Sequence, residues 1–210
     1  NMVLEKINNP SDLKNLNIEE MNTLSDEMRD LIIKKVNSTG GHLGPNLGII
    51  EATVALHYVF NSPFDKIIYD VSHQCYPHKI LTGRKEGFTD SDKYHKYTGY
   101  TAPEESVHDI FKVGHTSTSV SLAVGAAKAR DLKGETGNVI ALIGDGSLSG
   151  GEAYEGFNNA AVLGSNIIIV VNDNDMSIAE NQGGLYQNLK LLRDTQGKAE
   201  SNFFKTLGFD

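Results

Sequence analysis

Residues 138–174, NVIALIGDGSLSGGEAYEGFNNAAVLGSNIIIVVNDN, decide the fold. NVIALI is apolar and rich in β-branched residues, as a buried strand is. Gly151 to Val162 has helical character, and NIIIVV (166–171) is a second apolar run. A strand–helix–strand crossover of this length makes its two strands parallel, and strands this apolar are covered on both faces. The expected class is α/β, a parallel sheet with helices on both faces. In open parallel sheets ligands gather at the carboxyl ends of the strands. Asp145, set between Gly144 and Gly146, stands at one such end, and NDND (172–175) stands at the other. Neighbouring strands lie about 4.8 Å apart, so side chains leaving these two ends can meet.

Working outward, Asn17 is placed to cap a helix from Ile18 to Val36 that puts Leu24, Met28, Leu31 and Ile32 on one face. A second helix is expected from Leu47 to Phe60, stopped before Pro63, then a short strand IIYDV (67–71). A short helix, HKILTG, follows Pro77, and residues 85–110 read as a long polar and aromatic surface loop. The small residues of 116–132 suit a helix packed closely against its neighbours, within the fold or at a subunit interface. The glycines cluster where backbone turns sharply or approaches something closely.

The chain of 210 residues has a formal net charge of −8. It carries no basic stripe to neutralise nucleic-acid phosphates. A phosphorylated ligand must then be held by local devices against the overall field. The one cysteine, Cys75, excludes an internal disulfide and fits a reducing compartment, as a packing residue. No apolar run approaches the roughly 20 residues of a membrane span, and the first residues lack a signal peptide's apolar segment. The expectation is a cytoplasmic protein without nucleic-acid or membrane partners.

Asp145 offers a hard carboxylate oxygen, and the NDND side chains offer more. Oxygen donors of this kind suit magnesium or calcium, and magnesium fills the rest of its shell with water and phosphate. The alternative is that GDG is a plain turn and NDND a polar loop.

The pairing GDG…NDN, with 29 residues from Asp145 to Asn174, resembles the metal–diphosphate signature of thiamine diphosphate enzymes. STGGHLGPNLGIIEATVALHYVFNSPFDKIIYDVSHQCYPHKILTGR (38–84), VGHTSTSVSLAVGAAKA (113–129) and NDNDMSIAENQGG (172–184) narrow this to the 1-deoxy-D-xylulose-5-phosphate synthase family, relatives of transketolase. The resemblance implies that Asp145, Asn174 and the Met176 carbonyl bind Mg2+. It implies that His73, Gly114, His115, Thr116, Gly146, Ser147 and Asn174 contact thiamine diphosphate, and that His42 lies near the reacting carbon. A histidine's ordinary pKa near 6.5 suits proton transfer there. His57, His78, His95 and His108 receive no role.

The resemblance further implies a ketol transfer with loss of carbon dioxide from pyruvate to glyceraldehyde 3-phosphate, by a homodimer. It covers about a third of the family's length. Residues 1–210 are expected to be the diphosphate and magnesium side, without the pyrimidine-binding and C-terminal domains. Such a chain is a fragment or one half of a split enzyme, inactive by itself. Residues 85–110 depart from the commoner bacterial pattern, and Thr116 stands where serine is usual. A transketolase-type paralogue with other substrates therefore stays open, as does a non-catalytic diphosphate-binding module.

Overall fold

Helix α1, Ile18–Thr39, starts where its cap dictates. The Asn17 side chain accepts from the Glu20 N–H, and the Glu20 carboxylate accepts from the Asn17 N–H. Such a reciprocal cap is worth about 1 kcal/mol. The helix ends at Gly40, whose φ of 74° a glycine adopts without strain. These features belong to a computed structural model that describes residues 1–175 and 179–210. The chain divides into two compact units, Asn1–Gly114 and His115–Asp210.

In the first unit, Leu24, Met28, Ile32 and Val36 of α1 face a core with Leu4, Ile7, Leu13, Cys75, Leu81 and Phe88. The second expected helix is broken. A turn, Gly44–Leu47, precedes α2, Ile50–Val59. The break falls at Gly48 and Ile49, where glycine lowers the cost of leaving the helical path. Strand β1, Lys66–Tyr69, stops short of the expected Val71. Val71 and Ser72 have φ of 57° and 69° instead. A β-branched residue there is strained, and the chain bends sharply before His73. Ser72 holds the bend, donating from Oγ to the Val113 carbonyl at 3.0 Å and accepting from the Thr101 N–H at 3.0 Å. The helical turn Tyr76–Lys79, with Pro77 in its first turn, runs into Ile80–Arg84.

Residues 85–110 are not the surface loop expected. They form a short helix, Glu86–Thr89, and a turn, Ser91–Lys93. Phe88, Tyr94, Thr101, Ala102 and Asp109 are buried. The buried Lys35 of α1 donates to the carbonyls of Gly87 at 2.8 Å and Tyr94 at 2.7 Å. Lys79 and Arg84 reach Glu105, and Arg84 also grips Asp109. Paired charges can be buried where single ones cannot, so a polar sequence is drawn inside. Cys75 is wholly enclosed, and burial pushes its thiol up to about 12.

The second unit holds the stretch that decides the fold. Helix α3, Ser119–Leu132, leads to β2, Val139–Gly144. Helix α4, Gly151–Leu163, ends at the left-handed Gly164, and β3, Ile168–Asn172, follows. β2 and β3 pair in parallel, with Ile140 opposite Ile168 and Gly144 opposite Asn172. Val139 to Ile143 are at most 1% exposed, so both faces of β2 are covered. Helix α5, Gly184–Asp194, and the turn Phe203–Leu207 complete the unit. Val120, Ile143, Phe157 and Leu189 form its core, with Ile169 and Val171 against them. Among the described residues, no helix is long and apolar enough to cross a membrane.

Candidate functional site

The register of β2 and β3 sets Gly144 beside Asn172, so Asp145 and NDND leave adjacent strand ends. Asp145 opens a single helical turn, Asp145–Leu148, and is only 3% exposed. Its Oδ2 accepts from Nδ2 of Asn181 at 2.8 Å. No basic side chain among the described residues pairs with it. Burial raises its carboxyl pKa, and the nearby Asp173 charge adds to the rise.

The other acids of the motif have a different fate. Arg193, on α5, binds Asp173 at 2.6 Å and Asp175 at 3.2 Å. It brings one positive charge to this pair, whereas no basic side chain among the described residues reaches Asp145. Arg193 belongs to no motif, and Asn181, although within the stretch 172–184, received no role from the sequence. The Met176 carbonyl lies outside the described residues. An enclosed carboxylate held by a neutral amide fits a divalent cation, which supplies the missing positive charge.

Beside Asp145, the Ser147 hydroxyl accepts from Thr116 Oγ1 at 2.6 Å, and the Ser147 carbonyl accepts from Ser117 Oγ at 2.6 Å. His115 Nδ1 donates to the Thr116 carbonyl at 2.7 Å, which leaves Nε2 as the free ring nitrogen of the neutral form. His115, Thr116 and Ser147 are thus tied together, with Gly146 on the same turn as Ser147. A Cβ added to Gly144 would meet nothing within 4 Å, so the backbone there is open to a ligand. The same holds at the exposed Gly114 of the first unit. A cavity of about 770 Å3, lined by Phe157, Ile169, Leu192 and Phe204 among others, includes none of the expected site residues.

In the first unit, the His42 and His73 rings meet edge to face, 5.4 Å between centroids. The Tyr100 ring also meets His42 edge to face, 5.9 Å between centroids. His73 Nδ1 is buried without a partner among the described residues. Burial lowers the His73 pKa, His42 lowers it further, and Asp70 opposes the shift. Burial thus favours the neutral ring of His73. Asn46, fully buried, touches the carbonyls of both histidines. His57 and His78, given no role from sequence, are buried in a hydrogen-bonded pair at 2.8 Å. His108 Nδ1 lies 2.9 Å from Ser62 Oγ.

Residues 4–206 match the family model described as 1-deoxy-D-xylulose-5-phosphate synthase. The 1-deoxy-D-xylulose-5-phosphate synthase of Caldanaerobacter subterraneus subsp. tengcongensis is 55% identical over 191 residues, 91% of this chain and 31% of that one. The protein of the same name from Listeria monocytogenes serotype 4b is 47% identical over 212 residues, 98% of this chain and 35% of that one. The chain thus spans about a third of the length of the curated relatives it matches. Transketolase from Campylobacter jejuni subsp. jejuni shares the fold, with a TM-score of 0.65 at 22% identity over 87% of this chain and 33% of that one. The α/β expectation therefore holds, and the chain belongs to the 1-deoxy-D-xylulose-5-phosphate synthase family.

Proposed function

We propose that the polypeptide carrying this chain makes 1-deoxy-D-xylulose 5-phosphate from pyruvate and glyceraldehyde 3-phosphate with loss of carbon dioxide, for isoprenoid and thiamine precursors. The observation that carries the reading is the enclosed Asp145 carboxylate, at a strand end and without a basic partner among the described residues. It lies in a chain matched over residues 4–206 by the family. Asp145, the Asn174 amide and the Met176 carbonyl hold Mg2+ in this reading. Gly146, Ser147, Gly114, His115, Thr116 and His73 contact thiamine diphosphate. Its bound form supplies the carbanion chemistry needed to decarboxylate a keto acid and add the remaining carbons to an aldehyde. His73, kept neutral by burial, accepts or donates a hydrogen bond without adding charge. His42 moves a proton at the substrate's reacting carbon. The family resemblance also suggests a cytoplasmic homodimer.

Calorimetry of thiamine diphosphate binding, with and without Mg2+, tests the site. Asp145→Ala abolishes the magnesium-dependent component. Turnover of the two substrates by the complete polypeptide tests the reaction. Cofactor binding indifferent to magnesium would favour a non-catalytic module.

A second reading has one observation in its favour. Tyr100, from the segment that departs from the family pattern, packs against His42. That contact supports a transketolase-type paralogue with a different acceptor or donor. Comparing kcat/KM for a panel of keto acids and aldehydes between the parent and Tyr100→Ala separates the two readings. A preference switch of about tenfold or more, some 1.4 kcal/mol in the barrier, supports the paralogue.

A further inference from the structure

We infer that Asn46 is a positioning residue that locks His42 and His73 into one arrangement, an inference that rests on the proposed role of those histidines. Asn46 is 0% exposed. Its Nδ2 donates to the His42 carbonyl at 2.6 Å and to the His73 carbonyl at 2.9 Å. Its Oδ1 accepts from the Tyr76 N–H at 2.9 Å. One amide thus joins two histidine-bearing turns that are 31 residues apart in sequence, and joins both to the start of the helical turn Tyr76–Lys79.

Neither histidine sits in a regular element that fixes it. His42 follows Gly40 and Gly41, with φ of 74° and 126°, and His73 follows the left-handed Val71 and Ser72. Strained turns of this kind persist only where their surroundings over-determine them. Ser72 is pinned through its own hydroxyl. The Asn46 amide provides the link between the two turns. Removing it leaves two carbonyls and one N–H without these partners, a cost the chain relieves by moving the turns. The 5.4 Å edge-to-face contact of the rings depends on that link.

Histidine-selective NMR of the 210-residue chain tests this without cofactor or turnover. Asn46→Ala removes all three bonds. Asn46→Asp keeps the size and the acceptor for Tyr76 but sets an oxygen against two carbonyls, so it carries the same test if the alanine variant does not fold. In either variant the imidazole signals of His42 and His73 move, and the His73 pKa rises toward the ordinary value as the loosened turn loses its burial and its contact with His42. The signals of His57 and His78, buried in the same unit, stay in place. In the unaltered chain the Asn46 side-chain N–H protons exchange slowly with solvent. Native signals and titration for His42 and His73 in a folded variant would overturn the inference, as would fast exchange of those protons. In the complete polypeptide kcat falls about tenfold to hundredfold with KM little changed, the loss expected from a misplaced group. Displaced histidines with unchanged kcat would count against the proposed role of His42 and leave the positioning by Asn46 standing.

Discussion

His78 Nε2 lies 2.8 Å from Asp109 Oδ1, and neither side chain is reached by solvent. Arg84 grips the same carboxylate through two bonds of 2.7 Å, and the Ala102 N–H donates to it at 2.9 Å. Burial alone would raise the Asp109 carboxyl, but bonds from Arg84 and His78 outweigh it and hold the pKa well below the usual carboxylate range. The segment 98–109 is therefore tied to the turn 76–84 by charge as well as by packing.

Removing one member of such a group strands the others. Asp109→Ala is expected to destabilise the fold by about 3–5 kcal/mol, because Arg84 then remains buried with only Glu105 to meet its charge. Urea unfolding followed by circular dichroism measures this. A loss below about 1 kcal/mol would mean that water enters and replaces the carboxylate.

Acid should act through the histidines before it acts through this carboxylate. His57 and His78 both have lowered pKa values, chiefly from burial. The Asp109 carboxylate opposes the shift at His78 without reversing it. In the unfolded chain both titrate near 6.5. Below that pH the unfolded state binds protons that the folded state refuses, so stability falls as pH falls. The slope approaches about 2.7 kcal/mol per pH unit once both unfolded rings are charged, at about 1.36 kcal/mol per proton. Unfolding midpoints at pH 8, 6.5 and 5 check it, and an unchanged midpoint between 6.5 and 5 would refute it.

At Asp145 the sign is opposite. A carboxyl with a raised pKa is a burden on the fold once pH exceeds its unfolded value. Asp145→Asn keeps the shape, removes the charge and retains an oxygen for Asn181. Without metal, the variant should be more stable than the parent at pH 7, by roughly 0.5–2 kcal/mol. It should also lose magnesium-dependent cofactor binding. A less stable variant would show that the carboxylate already has its partner within the protein.

The crossing of α3 and α4 depends on Gly156. A Cβ there would lie 3.0 Å from the Ser121 backbone nitrogen, from Ser121 Oγ and from Val120 Cβ. Gly156→Ala gains about 0.5–1 kcal/mol of helix propensity and loses about 1–3 kcal/mol to overpacking. The net expectation is modest destabilisation by thermal melting, and Gly156→Leu should prevent the second unit from folding. An alanine variant as stable as the parent would show that the helices can separate slightly without penalty.

The parts legible in the sequence are those with a local cause. The apolar runs of β2 and β3, the glycines around Asp145 and the Asn17 cap each announce themselves within a few residues. What could not be read has distant causes. Asn46 acts on partners 27 and 30 residues away as well as on His42, and Arg193 reaches back 20 residues to Asp173. Residues 85–110 look like surface because they are charged. They are drawn inside because Lys79, Arg84, Glu105 and Asp109 neutralise one another, and pairing of this kind leaves no period in the sequence.

The enclosure of Cys75 has a practical outcome. With the only sulfhydryl hidden and protonated, the native molecule offers maleimide dyes nothing to react with. Val162 on α4 is 83% exposed, so Val162→Cys would create a single attachment point for a fluorophore on the second unit. Binding at the strand ends could then be followed by emission, with no background from the first unit.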